Sequence, residues 1–396
     1  MKRVGIIGGG QLAWMMGDAA KKLGVELIVQ TPSKTDPAVS IAQETVLAAV
    51  DDATATEILA AKSDVITFEN EFVDLAALSH LANKGVCFRP RLAALAPLLD
   101  KYHQRCYLRD LGLPVPQFFD LTGADFPAKI ESLGWPVVVK ARRHGYDGQG
   151  TFIVKSLADL PQKIIDKITN QDDLQELSPS SSNSSSQYLA EEFVPFTKEL
   201  AIIAARSVNG EIVTYPVVET QQQQQVCRWV IAPALISPQQ QEEIEAIAHT
   251  ILNSLQVVGV FGIELFLTAG GKVLVNEIAP RTHNSGHFSL DACTTSQFEQ
   301  HLRAVCGLPL GHTSLHCPSA VMVNLLGYEN SQSDYQNQRQ QLAAIPQAQL
   351  HWYGKTESRP GRKLGHITVL LEQQSRQAAK DIVHKIESIW YPRGNF

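Results

Sequence analysis

The first hundred residues do most to limit what this chain can fold into, because short apolar runs alternate there with helical patterns. Val4–Ile7 reads as a strand, Leu12–Leu23 as a helix, Glu26–Val29 as a second strand, Thr54–Lys62 as a helix and Val65–Phe68 as a third strand. Strands that alternate with helices form βαβ units around a parallel sheet. Such sheets bind ligands beyond the carboxyl ends of their strands. Two candidate sites follow: Gly8-Gly9-Gly10-Gln11-Leu12 after the first strand, and Glu69-Asn70-Glu71 after the third.

Downstream the pattern turns strand-rich. A helix is expected from about Asp100 to Leu111, stopped by Gly112-Leu113-Pro114, and Pro136–Lys140 reads as a strand with Thr151–Val154 as its return. Asn209-Gly210 sits between two apolar runs, the strongest short signal of a hairpin. Strands near Val321–Leu325 and His366–Leu371 and a helix near Gln377–Ile389 belong to a small closing module. The serine-rich Ser178–Gln187 tract and the Gln221–Gln225 run are expected as exposed loops.

Composition excludes several classes. With 19% charged residues and a net charge of −6, the chain has no basic run to meet a nucleic acid. No stretch approaches about 18 uninterrupted apolar residues, and Met1-Lys2-Arg3 leads straight into a strand, so neither a membrane span nor a signal peptide is expected. Cys87, Cys106, Cys227, Cys293, Cys306 and Cys317 form no C-x-x-C pair, so disulfides and zinc sites are not expected and a cytoplasmic setting is.

The most informative arithmetic lies at Gly270-Gly271. If these two glycines are the turn, Ala269 pairs with Lys272 and Glu264 falls opposite Glu277 on one face. Facing like charges destabilise a sheet, and the neighbours Ile263, Leu265, Val273 and Val275 are apolar. A Mg²⁺ ion held by carboxylate oxygens resolves the conflict; a protonated glutamate or a pairing with Arg281 is the alternative. Asn276 would face the other way unless the strand bends.

Lys140 ends a strand of three valines, where it must reach solvent or an anion. The glycine loop that follows, Arg143–Gly150, can wrap phosphate oxygens with backbone N–H groups. It does not match the P-loop pattern. Gly8-x-Gly10-x-x-Ala13 formally fits a dinucleotide fingerprint, but the second strand ends in Val29-Gln30-Thr31 without the acid that would hold a ribose. A helix N-terminus that binds a substrate phosphate survives that objection.

Together these pieces resemble the ATP-grasp superfamily, and within it the bicarbonate-using carboxyaminoimidazole ribonucleotide synthases of purine biosynthesis. The resemblance covers nearly the whole chain and rests on GGGQL (8–12), FENE (68–71), VVVKARRHGYDGQG (137–150), EEFVPFTKE (191–199), VNEIAPRTHNSGH (275–287) and HWYGKTESRPGRKLGH (351–366). It implies a mixed α/β and α+β chain in four parts. These are a Rossmann-like pre-ATP-grasp domain over 1–100, a central ATP-grasp lobe over 101–195, a C-terminal lobe over 196–317 and a β-rich module over 318–396.

The resemblance also implies roles. Lys101 and Lys140 would contact ATP phosphates, with Gly145, Tyr146, Asp147, Gly148, Gln149 and Gly150 folding over them. Glu191, Glu192, Phe193 and Val194 would meet the adenine and Glu199 the ribose, while Glu264 and Glu277, with Asn276 beside them, would hold Mg²⁺ or Mn²⁺. Gln11, Leu12, Glu71, Lys355, Arg362 and Lys363 would bind aminoimidazole ribonucleotide, and Tyr146, Arg281, His283 and Asn284 would surround bicarbonate. Three cations within nine positions suit a ribose phosphate. A homodimer is implied as well.

The chain departs from the family pattern at His144, where relatives carry Gly, and at Gln149, where they carry a cation. Ala13-Trp14 replaces a usual Gly-Arg, and Gln222 stands where relatives often place a histidine. Rival readings are a formate-dependent glycinamide ribonucleotide ligase, opposed by His283 and His287, and a nicotinamide oxidoreductase, opposed by the missing acid. A non-catalytic nucleotide sensor is opposed by Lys140, Glu264 and Glu277.

Overall fold

A computed structural model describes residues 2–123, 125–143, 150–169, 187–223 and 225–391. The chain folds as two compact units. One comprises Met1–Ala96, Lys198–Glu264 and Ile278–Phe396; the other comprises Pro97–Thr197 and Leu265–Glu277.

The first unit opens with strands β1 (Lys2–Ile7), β2 (Val25–Thr31), β3 (Glu44–Leu47) and β4 (Val65–Phe68), all parallel in the order β3-β2-β1-β4. The parallel sheet follows the alternation in the sequence. Strand β3 does not, because Glu-Thr-Val-Leu is a short, half-exposed edge with no apolar run to mark it. The expected helix over Leu12–Leu23 is two helices, Gln11–Trp14 and Gly17–Leu23. Met16 donates to Ala13 O at 3.0 Å, which tightens the turn. Gly17 then lets Ile41 pack against bare backbone, where a methyl group would stand 3.0 Å from the Ile41 Cβ.

The second unit holds β5 (Phe118–Asp120), β6 (Val137–Ala141), β7 (Thr151–Val154) and β8 (Tyr188–Glu192), antiparallel in the order β5-β8-β6-β7. Val137 and Val139 point into a core with Ile130, Ile164 and Ala190. Side chains alternate along a strand, so Lys140 lies on the other face. Val138 pairs with Glu191 across the β6–β8 ladder, which puts the Glu191 carboxylate on the Lys140 side.

The rest of the first unit builds a larger sheet from β9 (Phe196–Arg206), β10 (Ile212–Thr214), β11 (Val218–Gln223), β12 (Val226–Ala232), β13 (Gly259–Thr268), β15 (Ser319–Leu326), β16 (Ala348–Trp352) and β17 (Lys363–Leu371). Its order is β13-β9-β11-β12-β15-β17-β16, with β10 on β9. Strand β13 runs on past Glu264 into the second unit, where a turn leads to β14 (Val273–Ala279). The glutamine run is a correction: Gln221–Gln223 belong to β11, and the turn comes at Gln225 with φ 63°. The β12 ladder settles the backbone there, pairing Gln221, Gln222 and Gln223 with Trp229, Cys227 and Val226, whatever the side-chain polarity.

Packing joins the two ends of the first unit. Phe298, Leu302 and Val305, from the helix Gln297–Cys306, share one buried cluster with Leu12, Ala13, Met16 and Val29.

Candidate active site

The hairpin between β13 and β14 has a longer turn than the arithmetic assumed. Thr268 donates to Lys272 O at 3.0 Å, and Gly271 donates to Thr268 O at 3.0 Å. Gly271 alone of the two glycines takes a positive φ, 79°, as in a three-residue loop that ends in a left-handed residue. Thr268, not Ala269, therefore opposes Lys272. An unbroken ladder from this turn would set Glu264 against Asn276 rather than Glu277.

What surrounds Glu277 takes its place. Lys101 Nζ lies 2.7 Å from Glu277 Oε1, and Lys140 Nζ lies 3.4 Å from Asn276 Oδ1. Asn276 and Glu277 thus each reach a different lysine, and both are half-buried. Val275 donates to Pro114 O at 2.8 Å and accepts from Arg105 Nη1 at 3.2 Å. The Gly145, Tyr146, Asp147, Gly148 and Gln149 positions of the glycine loop lie outside the described residues. Gly150 closes the loop with φ 81°, where a methyl group would stand 2.8 Å from the Ala141 Cβ.

Glu191 organises the cluster. Arg105 approaches its two oxygens at 2.6 and 3.2 Å, and Lys140 Nζ stands 2.7 Å away. Burial would raise the Glu191 carboxyl, but Arg105 and Lys140 outweigh it and bring the pKa to about 2. Burial, with Arg105 and Lys101 close by, leaves Lys140 below its ordinary value despite Glu191. Lys101 moves upward because Glu277 outweighs burial. Glu277 itself is lowered: burial opposes, and Lys101, Lys140 and Arg105 prevail. Such a set of desolvated cations and a held carboxylate can receive polyphosphate oxygens. Along the same segment, Glu192 Oε1 accepts from Gln117 N at 3.0 Å, Phe193 is exposed and Val194 buried.

The first unit brings a second group together. Arg281 clasps Glu71 with Nε at 2.6 Å and Nη2 at 3.2 Å. Lys355 Nζ donates to Gln11 Oε1 at 3.0 Å and to Lys363 O at 2.8 Å, and Arg362 turns to Glu357 O at 2.7 Å. Leu12 is buried. Glu69 packs over Gly8 and Gly10, where any side chain would collide with its carboxylate. Burial raises its pKa against the opposing pull of Arg281. A carboxylate in that place repels the diphosphate of a dinucleotide, and Gln30 is committed to Ala49 O, Asp52 O and Thr56. Both features weigh against the nicotinamide reading.

His283 Nε2 lies 3.5 Å from Glu264 Oε1, and its Nδ1 meets Ser285 Oγ at 2.8 Å. Gly262 makes room for it, since a methyl there would run into the His283 Cβ. Asn284 is buried and exchanges amide hydrogen bonds with Asn324, at 2.9 and 2.7 Å. Glu199 accepts from Gln222 N at 3.1 Å, and burial raises its pKa.

With this geometry established, the chain compares closely with proteins of one kind. It is 55% identical over 395 residues to the N5-carboxyaminoimidazole ribonucleotide synthase of Synechococcus elongatus, covering 98% of this chain and 96% of that relative. The chain belongs to the N5-carboxyaminoimidazole ribonucleotide synthase family. Family models for a ribonucleotide synthetase preATP-grasp domain, an ATP-grasp domain and a phosphoribosylaminoimidazole carboxylase C-terminal domain match residues 1–97, 106–298 and 320–380. The crystal structure of the N5-carboxyaminoimidazole ribonucleotide synthetase of Thermotoga maritima is 39% identical with a TM-score of 0.83, covering 98% of each chain. That of the Aspergillus clavatus synthase in complex with ADP and 5-aminoimidazole ribonucleotide is 30% identical with a TM-score of 0.84, again over 98% of each. The ATP-grasp fold with its parallel-sheet N-terminal domain is thus the fold expected from the synthase motifs.

Some residues of these clusters carried no signal of their own in the sequence. Arg105, which fixes both Glu191 and Val275, is one. Asp100 is another: it accepts from Tyr102 N and His103 N at the start of the helix Lys101–Asp110 and pairs with Arg142 and Arg143. The available signal was Glu191-Glu192 closing an apolar strand, since one of two adjacent acids must face inward.

Proposed function

We propose that this chain carboxylates 5-aminoimidazole ribonucleotide with bicarbonate at the expense of ATP, giving N5-carboxyaminoimidazole ribonucleotide, ADP and phosphate in purine biosynthesis. The single strongest support is the cluster of Lys101, Lys140, Arg105, Glu191 and Glu277, a built receptor for polyphosphate. It occurs in a chain 55% identical to a synthase of that name.

In this reading Lys101 and Lys140 hold the ATP phosphates beneath the loop of Gly145, Tyr146, Asp147, Gly148, Gln149 and Gly150. The backbone of Glu191–Val194 meets the adenine, and Glu199 the ribose hydroxyls. Glu264, Glu277 and Asn276 are oxygen donors that fit a hard cation, Mg²⁺ or in its place Mn²⁺. Bound there, the cation would neutralise phosphate charge. Gln11, Leu12, Glu71, Lys355, Arg362 and Lys363 take the ribonucleotide, and Tyr146, Arg281, His283 and Asn284 the bicarbonate. A cytoplasmic homodimer with domain limits near 100, 195 and 317 completes the proposal.

The chemistry runs in two steps. A bicarbonate oxygen attacks the γ-phosphorus of ATP, and the bond to the β-phosphate oxygen breaks, releasing ADP and forming carboxyphosphate. The exocyclic amine of the ribonucleotide then attacks the carboxyl carbon, phosphate leaves and the amine loses a proton. Positioning and charge neutralisation do most of the work in phosphoryl transfer. Lys101 and Lys140 supply fixed charge, while Arg281, held by Glu71, keeps its guanidinium oriented. His283 is the group able to pass the amine proton on.

Coupled ADP release decides between readings. Turnover should require bicarbonate and rise sharply with aminoimidazole ribonucleotide, and Lys355→Met should raise KM for the ribonucleotide roughly tenfold or more with KM for ATP unchanged. Equal turnover with formate and glycinamide ribonucleotide would overturn the assignment.

A further inference from the structure

We propose that Asp291, His351 and His366 form a site for a divalent transition metal of the zinc class, apart from the groups assigned to ATP and its magnesium. Each offers one ligand atom, and the three atoms lie within 4.8 Å of one another. The fold builds the set. His351 on β16 and His366 on β17 are direct cross-strand partners, so their rings share a face, 4.5 Å apart at 15°; stacked rings cannot both aim a lone pair at one ion, so ligation requires the more exposed His351 ring to turn. Asp291, in the short helix Ser289–Ala292, brings its two oxygens to 3.0 and 2.9 Å from His351 Nε2.

His366 singles the cluster out. It is fully buried, and its Nδ1 meets the Tyr353 hydroxyl at 2.8 Å. Its Nε2 is buried with no hydrogen-bond partner among the described residues. Leaving such an atom unmatched costs about 1–3 kcal/mol, and native structures rarely do so. An imidazole whose far nitrogen is held by a hydroxyl is also the arrangement in which histidines ligate metals. Two imidazoles and a carboxylate suit Zn²⁺ or Co²⁺, whereas Mg²⁺ prefers oxygen alone. Water completes a four-coordinate shell. The His351 side chain is 25% exposed and Asp291 12%, which leaves a way in for the ion.

An ion here ties the β16 edge of the large sheet to the helix at Asp291. It also braces Tyr353, whose ring stands 5.7 Å from Lys355 Nζ. Cysteine spacing could not reveal the site, because no thiol takes part.

The test is titration of chelator-stripped full-length protein with Co²⁺ alone, read by visible absorption. One equivalent should give the intense d–d bands of four-coordinate Co²⁺ without a near-ultraviolet thiolate band. Zn²⁺ should displace it and excess Mg²⁺ should not. His351→Ala and Asp291→Asn should weaken binding at least tenfold, and Tyr353→Phe by about 10–100-fold. Zn²⁺ should also raise the melting temperature of stripped wild-type protein, a measurement that stands even if a variant fails to fold. The proposal is overturned if stripped wild-type protein shows neither d–d bands nor a zinc-dependent shift. It is overturned equally if the bands carry thiolate charge transfer or persist undiminished in His351→Ala.

Discussion

Arg105 grips both oxygens of Glu191, Nε at 2.6 Å and Nη2 at 3.2 Å, with each side chain almost sealed from solvent. Lys140 closes on the same carboxylate from the next strand. A buried ion pair that loses one member leaves an uncompensated charge, which typically costs about 3–5 kcal/mol.

Glu191→Gln should therefore lower the unfolding free energy measured in urea by that order and also change its pH dependence. The Glu191 pKa falls from the ordinary 4.5 to about 2 on folding. A depressed carboxylate adds stability that is complete above the unfolded value and disappears as pH drops through the folded one. Wild-type protein should lose more stability than Glu191→Gln between pH 4.5 and about 2. Parallel curves over that window would refute the assignment.

Glu277 faces Lys101 at 2.7 Å. If the carboxylate works with the cation cluster on ATP, Glu277→Gln should cut ADP formation by roughly 10²–10³-fold, the scale of losing one charge-stabilising group. Circular dichroism should stay unchanged. Near-normal turnover in a folded variant would remove Glu277 from the phosphate machinery.

The Asn284–Asn324 amide pair calls for a double-mutant cycle. Each alanine variant should destabilise by about 1–3 kcal/mol, because the partner amide is left buried and unmatched. The coupling should fall near 0.5–3 kcal/mol. Asn324→Ala should lower bicarbonate-dependent turnover too, by releasing Asn284. Unchanged turnover would leave Asn284 a structural role alone.

Local pattern made the parallel sheet, the Lys140 strand and its return strand legible, since each is a short apolar run with glycine or proline at its limits. Lys140 itself was legible because a lysine after Val137-Val138-Val139 has few places to go. Its partner was not: Glu191 lies on β8, far along the chain from Lys140, and only the β6–β8 register puts the two on one face. The Gly270-Gly271 hairpin forms, but its closing pair differs for a narrower reason. One glycine in a left-handed conformation lengthens the loop by a residue, and every pairing inferred from it shifts. Strands β3 and β16 stayed hidden because edge positions tolerate polar residues, and the Gln221–Gln223 stretch because its ladder to β12 overrides composition.

The interleaving of the two units sets a timetable for synthesis. Residues 97–197 leave the ribosome well before the Leu265–Glu277 hairpin segment that finishes their unit, and β12 emerges before β15, its ladder partner at Ser319–Leu326. A growing chain carries β12 as an open edge through that interval, a surface prone to wrong pairing. Fragments cut at domain limits would keep that exposure for good.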